Sequence, residues 1–153
     1  MSAPVYLEDF TVGQVREFGR YLVTAAEIVD FAKRYDPQPF HTDPEAAKKS
    51  FYGGLIASGW MTCAMAMRMV CDDYVLKSAS LGSPGVDQIR WKQPVRPDDV
   101  LRMRLTVREV RPSQSKPDRG IVRTGWEVIN QRDEIVMTSQ GMGMFRRRPA
   151  AAA

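Results

Sequence analysis

Residues 51–67 contain no charged side chain, and apolar side chains occupy nearly every face of the helical part of this segment. A helix that is apolar all round belongs in the middle of a protein. The segment is shorter than the roughly 20 apolar residues needed to cross a bilayer. Small residues also interrupt it, at Gly53, Gly54, Ser58 and Gly59. We therefore predict a buried central helix and no membrane span.

After residue 80 the hydrophobic pattern changes to a period of two. Leu101, Met103, Leu105 and Val107 alternate with charged or polar residues, which indicates a strand with one face in water. Further strands are predicted over residues 14–23, 86–92, 120–129 and 135–145. A run of antiparallel strands with one buried helix predicts an α+β fold in which the sheet wraps the helix.

Local signals place the shorter helices. Thr24 is a suitable N-cap, with Glu27 in position for a capping box, and this helix should end near Tyr35 because prolines follow. A further short helix is expected over residues 44–49, after Asp43. At 153 residues the chain suits one domain, predicted over residues 1–148, with residues 149–153 as a frayed tail.

Charge and composition exclude several classes of function. The net charge is +4, but residues 146–148 supply three of these charges, so the chain lacks a nucleic-acid-binding footprint. The first ten residues lack the basic start and apolar stretch of a signal peptide, so we expect a cytoplasmic protein. Cys63 and Cys71 lie in one apolar helical pattern, as buried thiols do. One histidine and two such cysteines are too few ligands for a zinc cluster, so we predict no metal site. We also expect no cofactor.

The only histidine, His41, follows Asp36 by five residues, with Pro37 and Pro39 in the gap. A proline fixes its own φ and pushes the preceding residue out of the α region, so Asp36 and Gln38 should be extended and the loop stiff. A stiff Asp–His pair suits proton transfer. A structural interpretation stays open, because a lone histidine near a helix start is often a surface or satisfied core residue, and Asp before Pro commonly opens a turn.

The order of these elements and two motifs together resemble the MaoC-like dehydratases, the family of (R)-specific enoyl-CoA hydratases with the hotdog fold. The family pattern is Asp, any residue, Asn, Pro, an aliphatic residue and His, and Asp36, Pro39 and His41 match it. Gln38 replaces the usual Asn and Phe40 the usual Leu or Val. The second motif is the glycine-rich segment of residues 53–59.

This second motif carries the family's glycine at the start of the central helix, eighteen residues after the histidine, where Gly59 stands here. Two positions depart from the family. A serine often found eight residues further on is replaced by Met67, and Ser58 stands where many relatives carry His.

The resemblance implies addition of water across a trans-2-enoyl thioester to give an (R)-3-hydroxyacyl thioester, or the reverse dehydration. Asp36 and His41 would share the catalytic water, with the order of their proton transfers left open. The N–H of Gly59, at the positive end of the central helix, would stabilise the enolate-like state. The substrate-binding residues expected beside these three are Gln38, Gly54, Ser58 and Trp60.

Two other functions stay open. Hotdog proteins also include acyl-CoA thioesterases, which the Asp-to-His spacing disfavours. A non-catalytic acyl-thioester binding module is favoured by the departures at Gln38 and Met67 and disfavoured by the retention of Asp36 and His41.

The partner implied by the resemblance is an acyl-CoA or an acyl-carrier thioester, and the acyl chain is left open. Trp60, Met61 and Met65 are expected near the pocket, although core packing is the simpler explanation of these residues. We also expect at least a homodimer, because a single curved sheet around one helix leaves its edges unpaired.

Overall fold

The computed structural model describes residues 3–151. Five strands form one antiparallel sheet in the order β1-β3-β4-β5-β2. The strands are β1 (Val15–Leu22), β2 (Gly85–Trp91), β3 (Val100–Pro112), β4 (Arg119–Ile129) and β5 (Ile135–Arg146). The α-helices are α1 (Ala25–Tyr35), α2 (Pro39–Thr42), α3 (Pro44–Lys48) and α4 (Gly59–Asp73), and the 3₁₀ helices are Leu7–Asp9 and Val75–Lys77.

The core lies between α4 and the inner face of the sheet. In β3 the four predicted inward residues, Leu101, Met103, Leu105 and Val107, are buried there, in the alternation that the sequence predicts. Helix α4 packs on this face through Met61, Met65, Ala66, Met69 and Val70, which recur at helical spacing and are all buried. The predicted α+β architecture, a sheet wrapped around a central helix, is confirmed.

The opposite side of α4 is not covered by residues 3–151. Trp60 is 58 % exposed and Met67 is 42 % exposed, so the prediction of a helix buried on every face is wrong for this chain taken alone. The physical reason is that one sheet covers only one side of a helix. An apolar stripe on α4 is left facing outward.

One glycine allows β1 to lie close against α4. Gly19 has a φ of +83°, and the register of β1 against β3 shifts between Phe18 and Tyr21. A Cβ added at Gly19 would lie 2.6 Å from the sulfur of Met69 on α4. The absence of a side chain therefore lets the edge of the sheet fold over the helix.

The two edges of the sheet are β1 and β2. Strand β2 pairs with β5 on one side only, and all of its residues except Ile89 are exposed. Val86 and Trp91 are among the exposed apolar residues of this strand. An edge of this kind presents backbone donors and acceptors together with apolar side chains.

The caps of the short helices follow the sequence signals in part. The Thr24 hydroxyl accepts a hydrogen bond from the N–H of Glu27 as predicted, but the Glu27 carboxylate accepts one from the Tyr21 hydroxyl instead of closing a capping box. Helix α1 ends at Tyr35, as expected. The Asp43 carboxylate accepts hydrogen bonds from the N–H groups of Glu45 and Ala46 and caps α3.

The stretch predicted as a stiff loop contains a helical turn that sequence patterns did not indicate. Pro39 begins α2, because its fixed φ suits the first position of a helix, and His41 is the third residue of this turn. Gln38 is extended, with φ −70° and ψ 141°, as expected before a proline. Asp36, with φ −154° and ψ 69°, lies outside the α region.

The end of the domain is tied to its beginning. Arg147 pairs with Glu8 at 3.1 Å and Arg148 with Asp9 at 2.7 Å. Residues 149–151 follow as exposed chain without regular structure, while residues 152 and 153 lie outside the described residues, so the frayed tail stays a prediction.

Residues 3–151 contain no helix long and apolar enough to cross a membrane. They also contain no group of three or more His, Cys, Asp or Glu side chains placed to bind a metal ion.

Candidate active site

The connection between α1 and α2 brings Asp36 and His41 together. Asp36 caps the end of α1, and its N–H donates to the carbonyl of Ala32 at 2.9 Å. Its own carbonyl accepts from the N–H of Gln38 at 2.8 Å, which closes a tight turn around Pro37. This turn reverses the chain so that the first turn of α2 points His41 back at Asp36.

His41 is 4 % exposed and its two ring nitrogens have different partners. Nδ1 lies 2.7 Å from the carbonyl oxygen of Ile56, and Nε2 lies 3.2 Å from Oδ2 of Asp36. A carbonyl oxygen only accepts, so Nδ1 carries a hydrogen toward Ile56, and Nε2 is the nitrogen that faces Asp36 and the cavity beside it. The histidine is thus buried and oriented by the backbone, with its second nitrogen turned to a carboxylate.

The Asp36 carboxylate accepts hydrogen bonds at both oxygens. The side-chain amide of Gln38 donates to Oδ1 at 2.7 Å, and the hydroxyl of Ser58 donates to Oδ2 at 2.7 Å. Burial on its own would raise the pKa of Asp36, but these two hydrogen bonds and the His41 ring outweigh it. The pKa of Asp36 is therefore lowered from its ordinary value, and the carboxylate is ionised at neutral pH.

The first turn of α4 lies directly beneath this pair. Ser58 is its N-cap, and the Ser58 hydroxyl accepts from the N–H of Trp60 at 3.3 Å. Gly59 is the first residue of the helix, where a backbone N–H has no intrahelical partner. The positive end of the helix, where Gly59 lies, is therefore close to the Asp36–His41 pair.

Trp91, at the end of β2, covers Gly59. Its indole Nε1 donates to the carbonyl of Gly59 at 2.9 Å, and its ring lies edge-on to Trp60 with centroids 5.2 Å apart. A Cβ added at Gly59 would lie 2.4 Å from Cε2 of Trp91. Glycine at this position is required by close packing against the indole, whatever its chemical role.

A cavity of about 650 Å³ opens over these residues. Five of the seven predicted site residues line it: Asp36, Gln38, His41, Gly59 and Trp60. Ser58 and Gly54 do not: Ser58 is fully buried beneath Asp36, and Gly54 lies beside the guanidinium of Arg96. Met61 and Met65, expected near the pocket, are buried core residues that are absent from its wall.

The rest of the wall was not anticipated from the sequence. Aromatic residues form its rim, and two cations come from the loop after β2. These additional residues include Phe40, Phe51, Tyr52, Trp91, Lys92 and Arg96. No local pattern marks Trp91, Lys92 and Arg96, because the tertiary fold is what brings the end of β2 to the start of α4.

The charge on the cavity wall is uneven. Asp36 is the only carboxylate that lines it in the described part of the chain. Arg96 donates through Nη2 to the carbonyl of Tyr52 at 2.7 Å, and its backbone N–H donates to the Asp99 carboxylate at 2.9 Å. Within residues 3–151 neither the guanidinium of Arg96 nor the ammonium of Lys92 forms an ion pair with a carboxylate within 4.0 Å. Both cations therefore keep an unneutralised charge at the cavity.

Comparisons with known proteins find similarity over most of the chain. The family model described as "MaoC like domain" matches residues 9–145. The uncharacterised protein YdeM of Bacillus subtilis (strain 168) is 30% identical over 142 residues, which cover 92% of this chain and 99% of that protein.

Solved structures extend this likeness to the whole fold. The MaoC-like dehydratase from Rhodospirillum rubrum superposes with a TM-score of 0.88 at 41% identity, over 95% of this chain and 99% of that one. The (R)-hydratase PhaJ1 from Pseudomonas aeruginosa superposes with a TM-score of 0.75 at 21% identity, over 98% of this chain and 94% of that one. At that identity the second likeness establishes the shared hotdog fold.

Proposed function

Because the chain belongs to the MaoC-like dehydratase family, we propose that it hydrates trans-2-enoyl thioesters to (R)-3-hydroxyacyl thioesters, or catalyses the reverse dehydration. The observation that carries this proposal is the approach of His41 Nε2 to Asp36 Oδ2, 3.2 Å apart, on the wall of a cavity at the N-terminus of α4. Two groups able to exchange a proton are thereby held beside a donor suited to a developing oxyanion.

In the proposed reaction Asp36 and His41 hold one water between them. The lowered pKa of Asp36 keeps its carboxylate ionised, so Asp36 accepts a proton from the water as the water oxygen attacks C3. In this proposal Nε2 of His41, which faces a carboxylate that only accepts, also carries a hydrogen at the start, and this proton passes to C2. The proton on Asp36 then passes to Nε2, so one H and one OH have been added and the pair returns to its starting state.

The N–H of Gly59 acts on the thioester oxygen in this proposal. Negative charge moves onto that oxygen as C3 is attacked, and a fixed N–H at a helix N-terminus stabilises it more in the transition state than in the ground state. Trp60 and Trp91 form the rim beside this donor and limit how the substrate can enter.

The carrier we propose is coenzyme A. Arg96 and Lys92 support this choice, because two unneutralised cations on the cavity wall suit the phosphates of a thioester carrier. Arg96 is the better placed of the two, since the carbonyl of Tyr52 uses only one of its five donors.

We further propose that the protein is a homodimer in which the β2 edges of two copies pair. The exposed edge strand, the outward apolar stripe of α4 and the almost fully exposed Phe51 at the cavity rim all support association on this side of the molecule. Pairing of this kind would join the sheets and bring a second copy against the rim of the cavity.

Asp36→Asn and His41→Ala should each lower the rate of hydration by about 10²–10⁴-fold, because both groups serve one proton exchange. For the same reason the double variant should be little slower than either single one. Loss of conjugated enoyl absorbance from a panel of trans-2-enoyl-CoA substrates measures this. Asp30→Asn, an exposed carboxylate on α1, is the matched control. If the rate losses of the two single variants multiplied in the double variant, the proposal that Asp36 and His41 share one water would be contradicted. Release of free thiol in place of absorbance loss would indicate a thioesterase.

Gly59→Pro should lower kcat by about 10²–10³-fold relative to Gly59→Ala, with little change in KM. Both variants add a Cβ that displaces Trp91, and only the proline removes the N–H, so their ratio isolates the donor. Circular dichroism of both variants checks the fold. Equal kcat values in two folded variants would assign the oxyanion to another group.

Arg96→Gln should raise the KM for an enoyl-CoA by about tenfold, the equivalent of one charge-assisted hydrogen bond. Kinetics with the matching N-acetylcysteamine thioester, which has no phosphate, should not change. The control is Arg20→Gln on β1, an exposed arginine away from the cavity. An equal effect on both thioesters would show that Arg96 shapes the site and does not bind the phosphates of the carrier.

Light scattering should give the mass of a dimer, and Val86→Lys on β2 should convert the protein to a monomer, because a charge is placed in the paired edge. Val12→Lys is matched to it in exposure, at 60% against 56%, and should leave the dimer intact. A monomeric parent protein would contradict the proposed assembly.

A further inference from the structure

The hydroxyl of Ser58 joins two elements of the candidate site through one atom. It donates to Oδ2 of Asp36 at 2.7 Å, and it accepts from the N–H of Trp60, in the first turn of α4, at 3.3 Å. Ser58 is fully buried and does not line the cavity. Its hydroxyl therefore contacts Asp36 from behind, without access to a substrate.

The chemistry of the two partners fixes the direction of both bonds. An ionised carboxylate only accepts and a backbone N–H only donates, so the single hydroxyl hydrogen must point to Asp36 and a lone pair to Trp60. Alanine or glycine at this position would lose both bonds, and only a hydroxyl makes both of them in this space.

Gln38, the other side chain that donates to Asp36, does not connect the carboxylate to α4. Gln38 binds Oδ1 from two residues along the same loop, so it orients the carboxylate only within that loop. Ser58 is 22 residues away in sequence and belongs to the cap of α4. This contact therefore fixes the position of the Asp36 carboxylate relative to α4, the helix that carries the Gly59 N–H.

We infer that Ser58 is a positioning residue, which holds the Asp36 carboxylate at a fixed place relative to the first turn of α4. This inference rests on the proposed function, since it concerns the relation between the water held by Asp36 and the thioester oxygen held by Gly59. Reactions of this kind depend on placement to within about 1 Å, a displacement that can cost roughly 10²-fold in rate.

Loss of the Ser58 hydroxyl should also change the pH dependence of the reaction. The hydroxyl is one of the groups that lower the pKa of Asp36, and His41 is the titratable group that contacts the same carboxylate. Removing this donor raises the pKa of Asp36. Because the ionised carboxylate is the active form, the acidic limb of the kcat/KM profile should move to higher pH.

The test compares Ser58→Ala, Ser58→Gly and Ser58→Thr. Glycine caps a helix nearly as well as serine and alanine caps poorly, so a role limited to capping predicts that glycine restores activity. If Ser58 positions Asp36, the alanine and glycine variants should lose kcat equally, by about 10–100-fold, with KM within about twofold of the parent. Threonine keeps the hydroxyl and should recover most of the rate.

Gln38→Leu is the matched control, because it removes a donor to Asp36 without touching the cap of α4. It should move the acidic limb in the same direction but lower kcat less, since the carboxylate stays tied to the helix. Parent-like kcat in Ser58→Gly, or an equal kcat loss in Gln38→Leu, would overturn the inference.

Titration of the Asp36 carboxyl carbon by NMR separates this inference from the proposed function. A parent protein without hydratase activity would refute the proposed function alone. An unchanged Asp36 midpoint in folded Ser58→Gly would refute the coupling of Ser58 to Asp36, whatever the reaction is. A midpoint raised equally in Ser58→Gly and Ser58→Ala, and restored in Ser58→Thr, supports it.

Discussion

The packing of α4 against the inner face of the sheet is the contact on which the rest of this structure depends. The buried residues of β3 and those of α4 form one apolar core, and burial of this surface is the dominant favourable term in folding. The bulge at Gly19 allows β1 to lie against Met69, so the sheet curves over the helix instead of remaining flat. Once α4 is held in this way, the position of its N-terminus is set to within a narrow range.

That position places the candidate site. The first turn of α4 lies under the loop that carries Asp36 and His41, and hydrogen bonds from Ser58 to Asp36 and from His41 to Ile56 attach this loop to the segment leading into the helix. Burying an ionised carboxylate is costly unless hydrogen bonds satisfy it. Here they do so well enough that the pKa of Asp36 is lowered despite partial burial. The same bonds that stabilise the charge hold it in place.

The uncovered side of α4 has a different consequence. Trp60, Met67 and Phe51 expose apolar surface next to the cavity and near the β2 edge, and apolar patches of this kind usually mark a binding surface. A sequence pattern reports that these residues are apolar but not which partner buries them. The sheet of the same chain covers only one face of α4. The proposed second copy would cover the opposite face, which accounts for the apolar residues found there.

The sequence by itself determined the elements whose causes are local. Alternation along β3, the caps at Thr24, Asp43 and Ser58, and the prolines around Gln38 act through residues at most four positions apart, so they can be read directly. The helical turn at Pro39 was missed because it is too short to show a period. Trp91 over Gly59, Ser58 under Asp36 and Arg96 at Tyr52 were decided only by the tertiary structure. These contacts join residues 32, 22 and 44 positions apart, and they exist because strand order and the packing of α4 bring those segments together.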